Sequence, residues 1–198
     1  MVEDLYFDTR SHEVTSDHLR ASSALIPAFS PVQIGGRLLG DAGMSANLPI
    51  DLVLSEAWDA PLLCIAVDLL PLRGPRPHTL GETVSRMQDL LFASQSRRAI
   101  AAWQLIFDER FRADKTGSAT ILYISYQNQG REVSGKAFDF SGKSAAWRWQ
   151  AGFDDMTAAL ATLSQGAIEI AEPGLSLYVL NSDKSVEKAR WSIGPRPL

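Results

Sequence analysis

The run Leu62-Leu63-Cys64-Ile65-Ala66-Val67-Asp68-Leu69-Leu70 constrains this chain more than any other segment. It falls well short of the roughly 20 residues of a membrane span, and it lacks the alternation of a strand with one wet face. It therefore predicts a β-strand covered on both sides. Such strands belong to α/β sheets, in which helical crossovers join parallel neighbours and cover the two faces. The flanks agree. Asn47-Leu48-Pro49 opens a short helical segment to about Trp58, and Pro71, Pro75 and Pro77 forbid regular structure immediately afterwards.

The same reading extends in both directions. Residues 79 to about 111 predict a helix with one apolar stripe at Leu80, Val84, Met87 and Leu91 and another at Ile100, Trp103 and Phe107. The polar Ser94-Gln95-Ser96-Arg97-Arg98 between them marks a bend or an exposed turn. Ile121 to Tyr126 and Leu175 to Leu180 predict two further strands, the second after Pro173-Gly174. Trp149, Phe153, Met156, Leu160 and Leu163 form one face of a helix capped by Ser144, which places Trp149 in the core. Near the N-terminus, Leu5 to Asp8 reads as the end of a strand, and Thr15-Ser16-Asp17 caps a helix that Pro27 helps to stop. Val32-Gln33-Ile34 and Arg37-Leu38-Leu39 flank Gly35-Gly36, a hairpin signal, and deliver the chain to Gly40-Asp41-Ala42-Gly43.

Composition excludes several functions. At 198 residues and 45% hydrophobic, the chain can bury a core. Its 19 Lys and Arg against 23 Asp and Glu give a net charge of -4, with no field to gather phosphodiester backbones, so nucleic acid is set aside. The single cysteine, Cys64, lies in the apolar run and reads as a buried thiol, which leaves no disulfide or thiolate metal site within one chain. The first residues, Met1-Val2-Glu3-Asp4, are not a basic and apolar export signal, so the cytoplasm is the expected location unless the natural start lies further upstream.

The stretch Leu19-Arg20-Ala21-Ser22-Ser23-Ala24-Leu25-Ile26-Pro27-Ala28-Phe29-Ser30-Pro31, running through the hairpin to Gly40-Asp41-Ala42-Gly43 and Asn47-Leu48-Pro49, resembles the patatin-like phospholipase family. In that family an Ala-Ser-x-Ala-x-Pro-x-Phe-Pro-Pro helix and turn leads to Asp-Gly-Gly or Asp-Gly-Ala and then Asn-x-Pro. The segment from Ser94 to about Leu163 looks like the C-terminal extension of a bacterial subgroup. The resemblance implies a lipid acyl hydrolase working by a Ser-Asp dyad without a histidine. A serine in a Gly-x-Ser-x-Gly elbow attacks the ester carbonyl, the aspartate takes its proton, and a glycine-rich loop binds the oxyanion. Carried over residue by residue, Asp41 is the dyad aspartate, and Ala42, Gly43, Asn47 and Pro49 are its supporting motif. Ala42 replaces the family's usual glycine, which is harmless only if the backbone there has negative φ. No Gly-x-Ser-x-Gly and no glycine-rich oxyanion loop occurs in the 198 residues.

Each candidate has a plainer reading beside it. Asp41 could be an ordinary turn aspartate bonded to nearby N–H groups. Ser45 in Gly43-Met44-Ser45-Ala46-Asn47 lacks the closing glycine of an elbow. Ala137 to Ser144 nearly spells a phosphate loop but suits a helix cap. Arg97 and Arg98 suit a headgroup or a solvated helix face, Trp147 and Trp149 a lipid surface or the core, and Asp154-Asp155 plain solvation. His12, His18 and His78 make no cluster in sequence.

The expected architecture is thus the C-terminal portion of a patatin-like three-layer α/β/α domain with a helical and mixed extension. Residues 1–72 hold the aspartate motif, 73–180 the extension, and 181–198 a poorly ordered tail. The expected function is a lipid or ester hydrolase to which this chain gives Asp41 but no nucleophile, inactive alone, with no cofactor or metal. The alternative is a non-catalytic interaction module of the same ancestry. Expected partners are the lipid or ester substrate and a segment or chain bearing the serine elbow, which predicts an exposed apolar sheet edge here; a homodimer through that edge is a variant.

Overall fold

The computed structural model describes residues 3–114, 117–132 and 135–194. They fall into two compact units, Met1–Asn47 and Leu48–Leu198.

In the first unit, helix α1 (Ser16–Ser22) starts at Thr15, whose backbone N–H donates to Nδ1 of His18, three residues on (3.0 Å). The chain passes a cis Ile26-Pro27 bond into strands β1 (Val32–Ile34) and β2 (Arg37–Leu39), an antiparallel hairpin with Val32 opposite Leu39. Gly35 and Gly36 sit at φ 57° and 78°, the left-handed pair that a two-residue hairpin turn requires. A short helix α2 (Gly43–Ala46) follows. Leu5 to Asp8 forms no strand. No ladder in this unit offers it a partner, and the turn at Asp8 is held instead by Arg10, whose N–H bonds the Asp8 carboxylate at 2.7 Å.

The second unit is a three-layer α/β arrangement. Helix α3 (Ile50–Leu54) precedes strand β3 (Leu62–Asp68), the predicted apolar run. Helix α4 (Leu80–Asp114) crosses to strand β4 (Ser118–Ser125), and helix α5 (Gly142–Ser164) crosses to strand β5 (Gly174–Leu180). Strand β6 (Val186–Ala189) completes a sheet of order β3-β4-β5-β6, parallel except for its last strand. One face packs Ile50, Leu54, Ile100, Trp103 and Phe107 of α3 and α4 against Ile121, Tyr123 and Leu177. The opposite face packs Met156, Ala159 and Leu163 of α5 against Leu122, Ile124 and Tyr178. Both crossovers step the same way across the sheet yet run on opposite faces, so they have opposite hands.

The α/β class is as the sequence predicts, and several local expectations are not. The proline segment after β3 does not divide the unit, because β3 and β4 pair over their whole length and bind the two sides together. Ser94 to Arg98 lies inside an unbroken 35-residue α4. The stripe Leu80, Val84, Met87 and Leu91 faces outward, while Asp89, Ala93 and Ser96 face inward. Helix α5 likewise turns Ala151 and Ala159 inward and leaves Trp149 78% exposed, because small side chains let it lie close to the strands. Its cap is Ser141, whose Oγ accepts from the Ser144 N–H at 3.3 Å, not Ser144 itself. The segment from Asn181 contains β6, and Trp191 beyond it stacks edge-on against Tyr123 at 5.0 Å; residues 195–198 lie outside the described ones.

Truncating Leu177, fully buried between helix and sheet, to alanine should cost about 2–5 kcal/mol. Trp149→Ala should stay within about 0.5 kcal/mol. Urea unfolding of the two variants measures both, and equal losses would contradict the placement of α5.

Candidate functional site

The hairpin ends at Gly40, where an added Cβ would lie 3.4 Å from the Ala24 carbonyl oxygen. That close approach lets the Asp41 N–H donate to the same oxygen at 3.1 Å, tying the exit of β2 to the end of α1's segment. Asp41 is half-buried, and its Oδ1 accepts the N–H of Gly43, two residues on, at 2.7 Å. This is the local side-chain turn that aspartate favours. A Cβ on Gly43 would sit 3.0 Å from that oxygen, so the glycine leaves room for the carboxylate. Ala42 has φ -77°, a negative value at which alanine carries no penalty, which settles the substitution of the usual glycine there. One carboxylate oxygen is thus fixed by a backbone donor, and the other takes no bond among the described residues.

Asp41, Ala42, Gly43 and Asn47 belong to this one turn and short helix, whereas Pro49 leads into α3 in the second unit. Ser45 is engaged elsewhere: its hydroxyl donates to Asp4 at 2.6 Å and meets the Ala42 carbonyl at 3.0 Å. His12 and His18 pack edge-on against Phe7, and the backbone N–H of His78 donates to Glu82 in the first turn of α4. Among the described residues no group of three or more His, Cys, Asp or Glu could hold a metal ion. No described helix is long and apolar enough to cross a membrane.

The remaining candidates resolve into ordinary roles. Arg97 donates to the Ser192 carbonyl at 2.8 Å, and Arg98 is exposed. Arg131 lies over the Trp147 ring at 3.7 Å, a cation–π contact. Asp154 accepts from Gln150, and Asp155 is ion-paired with Lys184. At the phosphate-loop look-alike, the Asp139 carboxylate accepts from the Ser141 N–H and the Ser144 hydroxyl, so the start of α5 already holds an anion. Those bonds hold Asp139 at about 2.

A second constellation has no motif to announce it. Beyond β3 and β4, Lys136 is ion-paired with the buried Asp89 at 2.5 Å, with Arg86 3.9 Å from the same carboxylate. Arg148 grips Glu132 with two bonds of 2.8 and 2.7 Å, and Tyr126 donates to Glu132 at 3.0 Å. Burial and that carboxylate push Tyr126 up to about 12, while the Arg148 guanidinium holds Glu132 below the usual carboxylate range. Nearby, Tyr123 donates to the buried Asp68 at 2.8 Å, and burial raises its phenol further still. These residues lie up to 80 positions apart in order of magnitude terms only because the sheet gathers them, which is why no local pattern signals the cluster.

Two family models match. One, described as patatin-like phospholipase, covers residues 2–54. The other, described as patatin phospholipase, covers residues 77–167. No curated relative and no solved structure matches the chain.

Two measurements check this geometry. Asp41→Ala should remove about 0.5–1.5 kcal/mol of local stability and speed hydrogen exchange at the Gly43 amide, whereas Asp41→Asn, which keeps an acceptor, should leave it nearly unchanged. A tyrosine phenol with a raised pKa favours the folded state fully below the free value near 10, and that contribution is lost as pH rises toward 12. Absorbance titration at alkaline pH should show late-ionising tyrosines, and Tyr126→Phe should flatten the fall in stability across that window.

Proposed function

We propose, on the premise that this chain belongs to the patatin-like phospholipase family, that it is part of a lipid acyl hydrolase and supplies the aspartate of a Ser-Asp dyad. The observation that carries the reading is Asp41 itself. It lies inside the first matched segment, with one oxygen oriented by Gly43 and the other open to a proton donor. A carboxylate near pKa 3.9 is a weak base toward a hydroxyl in water. It becomes useful when a serine is docked against it as the ester carbonyl is attacked, because the alkoxide then forms only as the proton leaves.

The nucleophile and the oxyanion donors would come from a segment or chain bearing a Gly-x-Ser-x-Gly elbow, since none occurs in these residues. Strand β3 supports such a partner. It is an edge of the sheet, its far side pairs with no strand among the described residues, and Ile65 and Val67 are 38% and 51% exposed. A second reading, a non-catalytic interaction module, draws on the outward stripes of α4 and α5, apolar faces of the kind that partners cover.

The chain alone should hydrolyse no ester and should leave a fluorophosphonate serine probe unreacted; stoichiometric labelling would refute the reading. Joined to a serine-bearing patatin segment, it should support hydrolysis, and Asp41→Asn should lower kcat about 10²–10⁴-fold. A joined protein that binds lipid but never turns over, with or without Asp41, would favour the module.

A further inference from the structure

The loops that leave the carboxyl ends of β3 and β4 part company. The first runs through residues 71–77 to α4 on one face of the sheet, and the second leads toward α5 on the other. Adjacent parallel strands whose onward connections diverge to opposite faces leave a crevice between them, the place where α/β sheets bind ligands. Here that crevice is a cavity of about 190 Å³, walled by both loops and the first turns of α4.

Its charges do not balance. Asp89 is one carboxylate against two cations, Lys136 and Arg86. Glu132 is neutralised from outside the cavity by the two-pronged Arg148. Glu82 is occupied in capping α4, accepting the N–H groups of His78 and Thr79 at 2.6 and 3.3 Å. The guanidinium of Arg86 is anchored by the carbonyls of Pro71 and Leu72, which fixes the loop that carries the next two cations. Those are Arg73 and Arg76. Both line the cavity, both are exposed, and neither has an anionic partner among the described residues. Ser85 and Gln127 add neutral polar groups to the walls.

From this arrangement we infer that the crevice between the β3 and β4 loops binds a small phosphate-bearing ligand, with Arg73 and Arg76 taking its oxygens. Guanidinium groups suit this chemistry because their planar forks pair with phosphate oxygens two at a time. The ion-paired floor of Asp89, Lys136 and Arg86 holds the walls in place without using up the charge at the mouth. The inference is independent of Asp41, because every wall of the cavity belongs to the second unit.

Calorimetric titration of the full chain with inorganic phosphate and with sn-glycerol 3-phosphate tests it, with glycerol as the uncharged control. Saturable binding of at least one phosphate and none of glycerol is expected. Arg73→Ala and Arg76→Ala should each weaken binding at least tenfold, while Arg98→Ala, an exposed arginine outside the cavity, should leave it within twofold. Circular dichroism would confirm that each variant is folded, and amide shifts on titration should centre on Ser85 and Gln127. Tighter binding of glycerol 3-phosphate by tenfold or more would assign an organic phosphate, such as a headgroup, and equal binding a free phosphate. Absence of saturable binding by either ligand, or undiminished binding by the Arg73→Ala, Arg76→Ala double variant, overturns the proposal.

Discussion

Parallel pairing of β3 with β4, and of β4 with β5, dictates the rest of the larger unit. Parallel neighbours cannot be joined by a tight turn, so each pair obliges the chain to travel the length of the sheet outside it. Helix α4 makes the first journey and α5 the second, and each covers the face on which it runs. The core residues follow: Ile121 and Tyr123 point to one helix and Leu122 and Ile124 to the other, since successive strand side chains alternate. The pairing also gathers the polar ends of the strands. Asp68 and Tyr123 meet across the β3–β4 ladder, and Asp89 meets Lys136 because their loops start side by side.

Where order came from local chemistry, it could be read directly. The Gly35-Gly36 hairpin lies between the two apolar arms that flank it in sequence, and Leu62 to Asp68 is a strand of the expected kind. Periodicity also found Ile100, Trp103 and Phe107 as a buried face of α4. The same rule misled at Leu80, Val84, Met87 and Leu91, and again at Trp149. Helical spacing reports that apolar residues share a side, not which side the protein occupies. Asp89 and Ser96 could hold the inner position in α4 because partners such as Lys136 arrive from distant sequence, and no window of residues shows them. Of the candidate site, the Asp41 turn was legible because Gly43 stands two residues away. The cavity beside Arg73 and Arg76 was not, because it exists only once two strands are paired.

At Asp41 the bland and the catalytic readings rest on the same bond. The Gly43 N–H that makes the aspartate an ordinary turn residue also prevents its carboxylate from rotating, leaving a single oxygen to present. Orientation of that kind is what a base needs before its partner arrives. Gly40 and Gly43 serve it at both ends, one by admitting the Ala24 carbonyl and the other by clearing space for the carboxylate.

Helix α4 is held by two different kinds of contact along its length. Toward its C-terminal end it is gripped by volume, with Ile100, Trp103 and Phe107 filling space, and such surfaces tolerate small rotations about the axis. Toward its N-terminal end it is gripped by direction, through Arg86 and Asp89, whose bonds fail when their atoms drift by an ångström. The polar end therefore works as a keyway on a shaft. It indexes the rotation of the whole rod, and with it the angle at which its uncharged outer stripe meets whatever lies beyond.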